Sequence, residues 1–90
     1  MHRAEYAYKA IELSTGVRND SWGDPSIQHA RIALAWSAIL NREVTAQQVA
    51  LCMAAMKLVR AAGNPDIVDS YIDAIAYVGI AGEIIDAQRL

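Results

Sequence analysis

The chain has 90 residues, 54% of them hydrophobic and 20% charged, with two prolines, no phenylalanine and a formal net charge of −2. That length makes one domain, residues 1–90, able to bury roughly 60–70% of its unfolded surface without a disulfide staple. A slight negative charge without clustered Lys and Arg excludes the backbone-neutralising surface of nucleic-acid binders. No apolar run reaches the ~20 residues of a membrane span, and the single Cys52 excludes an internal disulfide. The expectation is a cytoplasmic protein of a bacterial host cell, with neither nucleic-acid nor membrane partners.

The punctuation predicts four helices. The first runs from about His2 to Leu13, with Ala4, Ala7, Ala10 and Ile11 as a narrow apolar stripe and Glu5 paired with Lys9 one turn on. Ser14-Thr15-Gly16 stops it, and a polar connection follows, Gly16 to Ser26, "GVRNDSWGDPS". Asp24 before Pro25 is an N-cap followed by proline at the first helical position, so the second helix covers Pro25 to Leu40, with Trp36 as core. After the turn "NREV", Thr45 and Gln48 form a capping box for a third helix that continues to Ala62, with Gly63 at C′. Asn64-Pro65 repeats the cap pattern and opens the fourth. Cys52 reads as a small buried hydrophobe.

The fold class is therefore all-α: a compact four-helix bundle. From Val49 to Met56 the sequence "VALCMAAM" has no charged residue, and Ala74 to Ile85 carries only Glu83. A helix apolar all round is buried all round, which a four-helix monomer cannot provide. A homodimer or higher homo-oligomer is expected, with the third and fourth helices in the shared core.

Polar chemistry concentrates in two places. Asp66, Asp69 and Asp73 open the fourth helix at spacings of three and four. A short connection makes the third helix its antiparallel neighbour, which brings Arg60 within reach of Asp66 or Asp69, and Lys57 within reach of Asp69 or Asp73. One reading is a structural ion-pair ladder. The other is a ligand site, in which Asp69 and Asp73 hold Mg²⁺ through oxygen and water while Lys57 and Arg60 receive phosphate. The second place is the loop, where Trp22 stacks on a base with Arg18 on phosphate, or else folds back as a lid on the core. His29 has no second His or Cys at metal spacing, which argues against zinc.

The order "AIELSTGVRNDSWGDPSIQHARIALAWSAIL", then "TAQQVALCMAAMKLVRAAGNPDIVDSYIDAIAYVGIAGE", resembles an uncharacterised family of short phage and prophage proteins over nearly the whole chain. The matching positions are Arg18, Trp22, Gly23, Trp36, Ser37, Lys57, Arg60, Asp69, Asp73 and Tyr77, with Trp22 in place of the more usual Tyr. That family is more distantly similar to the all-α nucleoside triphosphate pyrophosphohydrolases of the MazG type, oligomers that hold Mg²⁺ on acidic residues of two helices. Asp69 and Asp73 resemble one half of such a metal site. The other half, a Glu-x-x-Glu helix, is missing, because Glu12 has no Glu three residues away. The resemblance implies a phage-encoded nucleotide-binding protein with Arg18, Trp22, Lys57, Arg60, Asp69, Asp73 and Tyr77 around a nucleotide or cyclic nucleotide. Three roles follow: an Mg²⁺-dependent hydrolase, a non-catalytic protein that sequesters a host nucleotide signal, or a structural, protein-binding module.

Overall fold

Side-chain caps set three of the four helix starts. In the computed structural model, which describes residues 1–16 and 23–89, α1 spans Arg3–Ser14, α2 Pro25–Leu40, α3 Ala46–Gly63 and α4 Val68–Gln88. Among the described residues there is no strand, so the all-α, four-helix expectation holds. Asp24 accepts the N–H of Ser26 ahead of α2. Thr45 and Gln48 exchange both bonds of the capping box ahead of α3. His2 caps α1, its ring nitrogen accepting from the N–H of Ala4 while the Glu5 carboxylate accepts from the backbone N–H of His2. Glu5 is thereby drawn into the cap, and the expected ion pair with Lys9 does not form.

The start of α4 corrects the sequence reading. Asn64-Pro65 does not open the helix. The Asn64 side chain accepts the N–H of Asp66 at 3.4 Å in a local turn, the Asn64 carbonyl accepts from Ile67, and α4 begins at Val68 behind Ile67, which lends no side-chain cap. The Asn64 bond has the same i+2 form as the Asp24 cap of α2, but here it closes a turn and the helix follows only after Ile67. The Tyr71 hydroxyl fastens the turn by donating to the Pro65 carbonyl at 2.9 Å. Gly63 belongs to α3 itself, with Asn64 as its C-cap. At the other end of α3, Ser37 Oγ accepts the N–H of Val44 at 2.8 Å and donates to the Ala33 carbonyl at 2.7 Å. Asn41 takes the left-handed conformation that the tight α2–α3 turn needs, at φ 53°.

α4 is the hub and packs on each of the other three helices, most extensively on α3. Its buried positions fall on two flanks: Ser70, Ala74, Ala81 and Ile84 on one, Ile72 and Ala76 on the other. The second flank meets α1 through Ala10, with Tyr6 and Leu13 packed alongside, and Tyr6 sets its ring edge-on to Tyr71, 5.9 Å between centroids. The buried side of α1 is thus Tyr6, Ala10 and Leu13. Ala4, Ala7 and Ile11, expected there, face solvent. An aromatic at position 6 buries more area than the alanine stripe does, and so sets the helix rotation.

The core is made mostly of alanine. Among the described residues, Ala10, Ala33, Ala50, Ala54, Ala61, Ala74, Ala76 and Ala81 are buried with only Val49, Ile72 and Ile84 as larger aliphatic partners. Small side chains let helix backbones approach closely, but each contributes far less than the ~1.5–3 kcal/mol of a buried Leu or Ile. The large aliphatics lie outside: Leu34 is 74% exposed, Ile39 79%, Leu58 58% and Val59 72%. Within one chain α3 and α4 are therefore not buried all round. Cys52, expected inside, is exposed, and Trp36, expected in the core, is half-buried. No described helix is long and apolar enough to cross a membrane.

Candidate functional site

The packing of α2, α3 and α4 leaves a cavity of about 350 Å³, closed on one side by the end of α1. Its apolar walls are Leu13, Ile32, Met53 and Ile80. Its polar groups are Lys57 of α3, Asp73 and Tyr77 of α4, Gln28 and His29 of α2, and Ser14 of α1. This volume lies near the lower end of the ~300–1,000 Å³ range of small-molecule pockets, and mostly apolar walls with a few convergent polar groups are the usual composition of such sites.

Lys57 and Asp73 meet across the α3–α4 interface. Lys57 Nζ lies 3.0 Å from an Asp73 carboxylate oxygen, with the two side chains 17% and 23% exposed. The helix register explains the meeting. Lys57 continues the buried Ala50–Ala54–Ala61 side of α3, and Asp73 sits beside Ala74 and one turn before Tyr77 on the α3-facing side of α4. Asp73 lies beyond the first turn of α4, too far along for the helix dipole to hold it. Its partner is the lysine that the spacing pointed to.

The rest of the expected ladder does not assemble. Arg60, Asp66 and Asp69 are all exposed, and among the described residues Lys57–Asp73 is the one ion pair. The physical reason is the later start of α4. Asp66 is left in the turn before the helix, its backbone held by Asn64, and Asp69 occupies the first turn, where the helix N-terminus already favours a carboxylate. Asp69 and Arg60 do not line the cavity, whereas Lys57, Asp73 and Tyr77 do. Among the described residues no three His, Cys, Asp or Glu side chains cluster as a metal would require. Arg18 and Trp22 lie outside the described residues.

His29 is the cavity residue that sequence reasoning passed over, because it was weighed only as a metal ligand. It is 6% exposed. Its Nδ1 lies 2.7 Å from the Pro25 carbonyl. A carbonyl can only accept, so Nδ1 carries the hydrogen and Nε2 of the neutral ring bears a lone pair. Nε2 is buried and, among the described residues, has no hydrogen-bond partner. The ring stands edge-on to Tyr77 at 5.9 Å between centroids. A histidine one turn after an Asp-Pro helix start, able to reach the Pro25 carbonyl, was the available signal.

The N-terminus of α2 adjoins the cavity through Gly23 and Pro25, but it is not open to an anion. The N–H groups of Ser26, Ile27 and Gln28 all bond to Asp24, Pro25 has none, and the Asp24 carboxylate already occupies the positive end of the helix. With Lys57 offset by Asp73, the described lining carries no net charge. Its hydrogen-bonding groups are the Lys57 ammonium, the Asp73 carboxylate, the His29 imidazole, the Tyr77 phenol, the Gln28 amide and the Ser14 hydroxyl, the last of which donates to the Ala10 carbonyl.

Residues 6–85 match a family described as "Domain of unknown function (DUF6378)". The chain is also 34% identical over 76 residues to the "Gene 55 protein" of Mycobacterium phage D29, an alignment that covers 84% of this chain and 50% of that protein. The chain thus spans about half the length of the curated relative it matches. No solved structure matches the chain.

Proposed function

The chain belongs to the DUF6378 family and has a phage relative, and from that premise we propose that it is a small helical protein that binds a nucleotide in the α2–α3–α4 cavity without hydrolysing it. One observation carries the reading: Lys57, Asp73, His29 and Tyr77, drawn from three helices, converge on a single cavity of about 350 Å³ with apolar walls. Such a surface suits a flat, partly apolar ring with polar edges, which is what a nucleobase presents. Lys57 offers a donor to a ring carbonyl, and Asp73 offers an acceptor to ring or exocyclic N–H groups.

Binding is favoured over MazG-like pyrophosphate hydrolysis by the placement of the carboxylates. Asp69 and Asp73, the expected Mg²⁺ pair, are divided: Asp73 faces Lys57 in the cavity, and Asp69 is exposed outside it. Sequestration of a host nucleotide during infection is the role that fits a binder with a phage relative. The test is a thermal-shift screen of nucleoside mono- and triphosphates and cyclic dinucleotides, with and without Mg²⁺, followed by assay of the stabilising compounds for pyrophosphate release. A ligand at 100 times its Kd adds about 2.7 kcal/mol of stability. The proposal expects stabilisation without turnover and without dependence on Mg²⁺. Release of pyrophosphate that needs Mg²⁺ and Asp69 would establish the hydrolase instead.

A second reading concerns self-association. Leu34 and Ile39 on α2, with Leu58 and Val59 on α3, are large, aliphatic and exposed, while the core of the single chain is alanine. Soluble monomers rarely carry extended apolar patches. This supports a homodimer or higher homo-oligomer that covers the α2–α3 face, and light scattering reads it directly.

A further inference from the structure

We propose that His29 is the residue through which the cavity selects its ligand, and that its Nε2 accepts a hydrogen bond from an N–H on the ligand's heteroaromatic ring. The inference rests on the nucleotide-binding reading and makes it specific. It assigns the neutral base, not the phosphate, to the inner cavity.

Three observations carry it. His29 is more than nine-tenths buried and lines the cavity. The 2.7 Å contact with the Pro25 carbonyl places a hydrogen on Nδ1, and with the ring neutral Nε2 is an acceptor. That acceptor is buried without a partner among the described residues. A buried acceptor left unsatisfied costs free energy, so a purely structural role would be better served by an aromatic hydrocarbon at this position. Phenylalanine would keep the edge-on contact with Tyr77 and bury no orphan. The Nδ1 bond to the Pro25 carbonyl accounts for one ring nitrogen, and a ligand N–H would account for the other.

The surroundings narrow the ligand further. The described lining has no net charge, and the backbone N–H groups at the start of α2 are committed to Asp24, so nothing described in the inner cavity favours a phosphate. The acceptors His29 Nε2 and Asp73 stand with the Lys57 ammonium and the Tyr77 phenol, and the Gln28 amide and Ser14 hydroxyl also line the cavity. The chemistry that matches is a purine or pyrimidine carrying N–H donors beside a carbonyl or ring-nitrogen acceptor.

Two measurements test this. In the first, the unliganded protein and His29→Phe are melted side by side. The proposal expects the variant to melt at the same temperature or higher; a marked fall in Tm would make His29 a structural residue and overturn the inference. In the second, wild-type protein labelled with ¹⁵N at histidine is titrated with AMP, GMP, CMP and UMP, and with purine riboside 5′-monophosphate, whose base has no N–H. The expected result is a shift of the Nε2 resonance with at least one of the four, and binding of that nucleotide roughly tenfold or more tighter than the control. His29→Phe should abolish the difference. Binding of a nucleotide with an unmoved Nε2 and no discrimination against the control would refute this inference alone. No binding by any of the five would refute it together with the nucleotide reading.

Discussion

Replacing Asp73 and Lys57 singly and together measures what the cavity's ion pair is worth. At 3.0 Å and an effective dielectric near 20, the attraction is about 5 kcal/mol before desolvation. Removing two charges from water returns several kcal/mol of that. Because the side chains keep 17% and 23% exposure, neither the fully buried nor the fully exposed limit applies, and a net coupling of about 1–2 kcal/mol is expected. Each single variant, Asp73→Ala or Lys57→Ala, strands a partly buried charge, so each should lose about 2–3 kcal/mol, or roughly 10–20 °C in Tm for a domain of this size. The double variant should lose about 1–2 kcal/mol less than the two losses added together. Urea denaturation of the four proteins reads the cycle. Additivity within about 0.5 kcal/mol would show that the pair is not energetically coupled, and the register argument for Asp73 would fail. Asp73→Asn separates the roles: it keeps the side chain's shape, so it should retain most of the stability while losing nucleotide binding.

Other outcomes follow from single contacts. Leu58→Glu on the exposed face of α3 should turn an oligomer into a monomer by light scattering with little loss of helicity; a wild-type protein of single-chain mass at micromolar concentration would remove the case for self-association. Ser37→Ala deletes the hydroxyl that joins Val44 to Ala33 and should cost about 1–2 kcal/mol in chemical denaturation, whereas no loss would mean that water replaces it fully. Gly79→Ala adds a methyl group that meets nothing within 4 Å and should stabilise α4 by up to about 1 kcal/mol; destabilisation would mean that another chain packs on that face.

The helices were legible where side chains announced them. Asp24-Pro25 and Thr45 with Gln48 marked α2 and α3 because their caps are local interactions, fixed within four residues. Asn64-Pro65 carried the same signal, and Asn64 makes the same i+2 bond as Asp24, yet there it closes a turn and α4 starts only at Val68. That displacement propagated to the site. With α4 starting at Val68, Asp66 and Asp69 fell outside the cavity, and only the Lys57–Asp73 rung of the ladder formed. Which apolar residues lie inside was less legible still. Ala10 was placed correctly, but Ile11, Cys52 and Trp36 were not buried as expected, because periodicity names a face without saying what lies opposite it. His29 was invisible to motif logic: its meaning depends on a ring nitrogen without a partner among the described residues, which only the folded chain displays.

The most direct test of nucleotide binding in this cavity is chemical-shift mapping of the ¹⁵N-labelled protein with the nucleotide that stabilises it most. The account predicts saturable shifts concentrated at His29, Lys57, Asp73 and Tyr77, lost in Asp73→Asn. Shifts confined to Arg60 and Asp69 on the exposed side of the α3–α4 turn, or no shifts with any nucleotide, would contradict it.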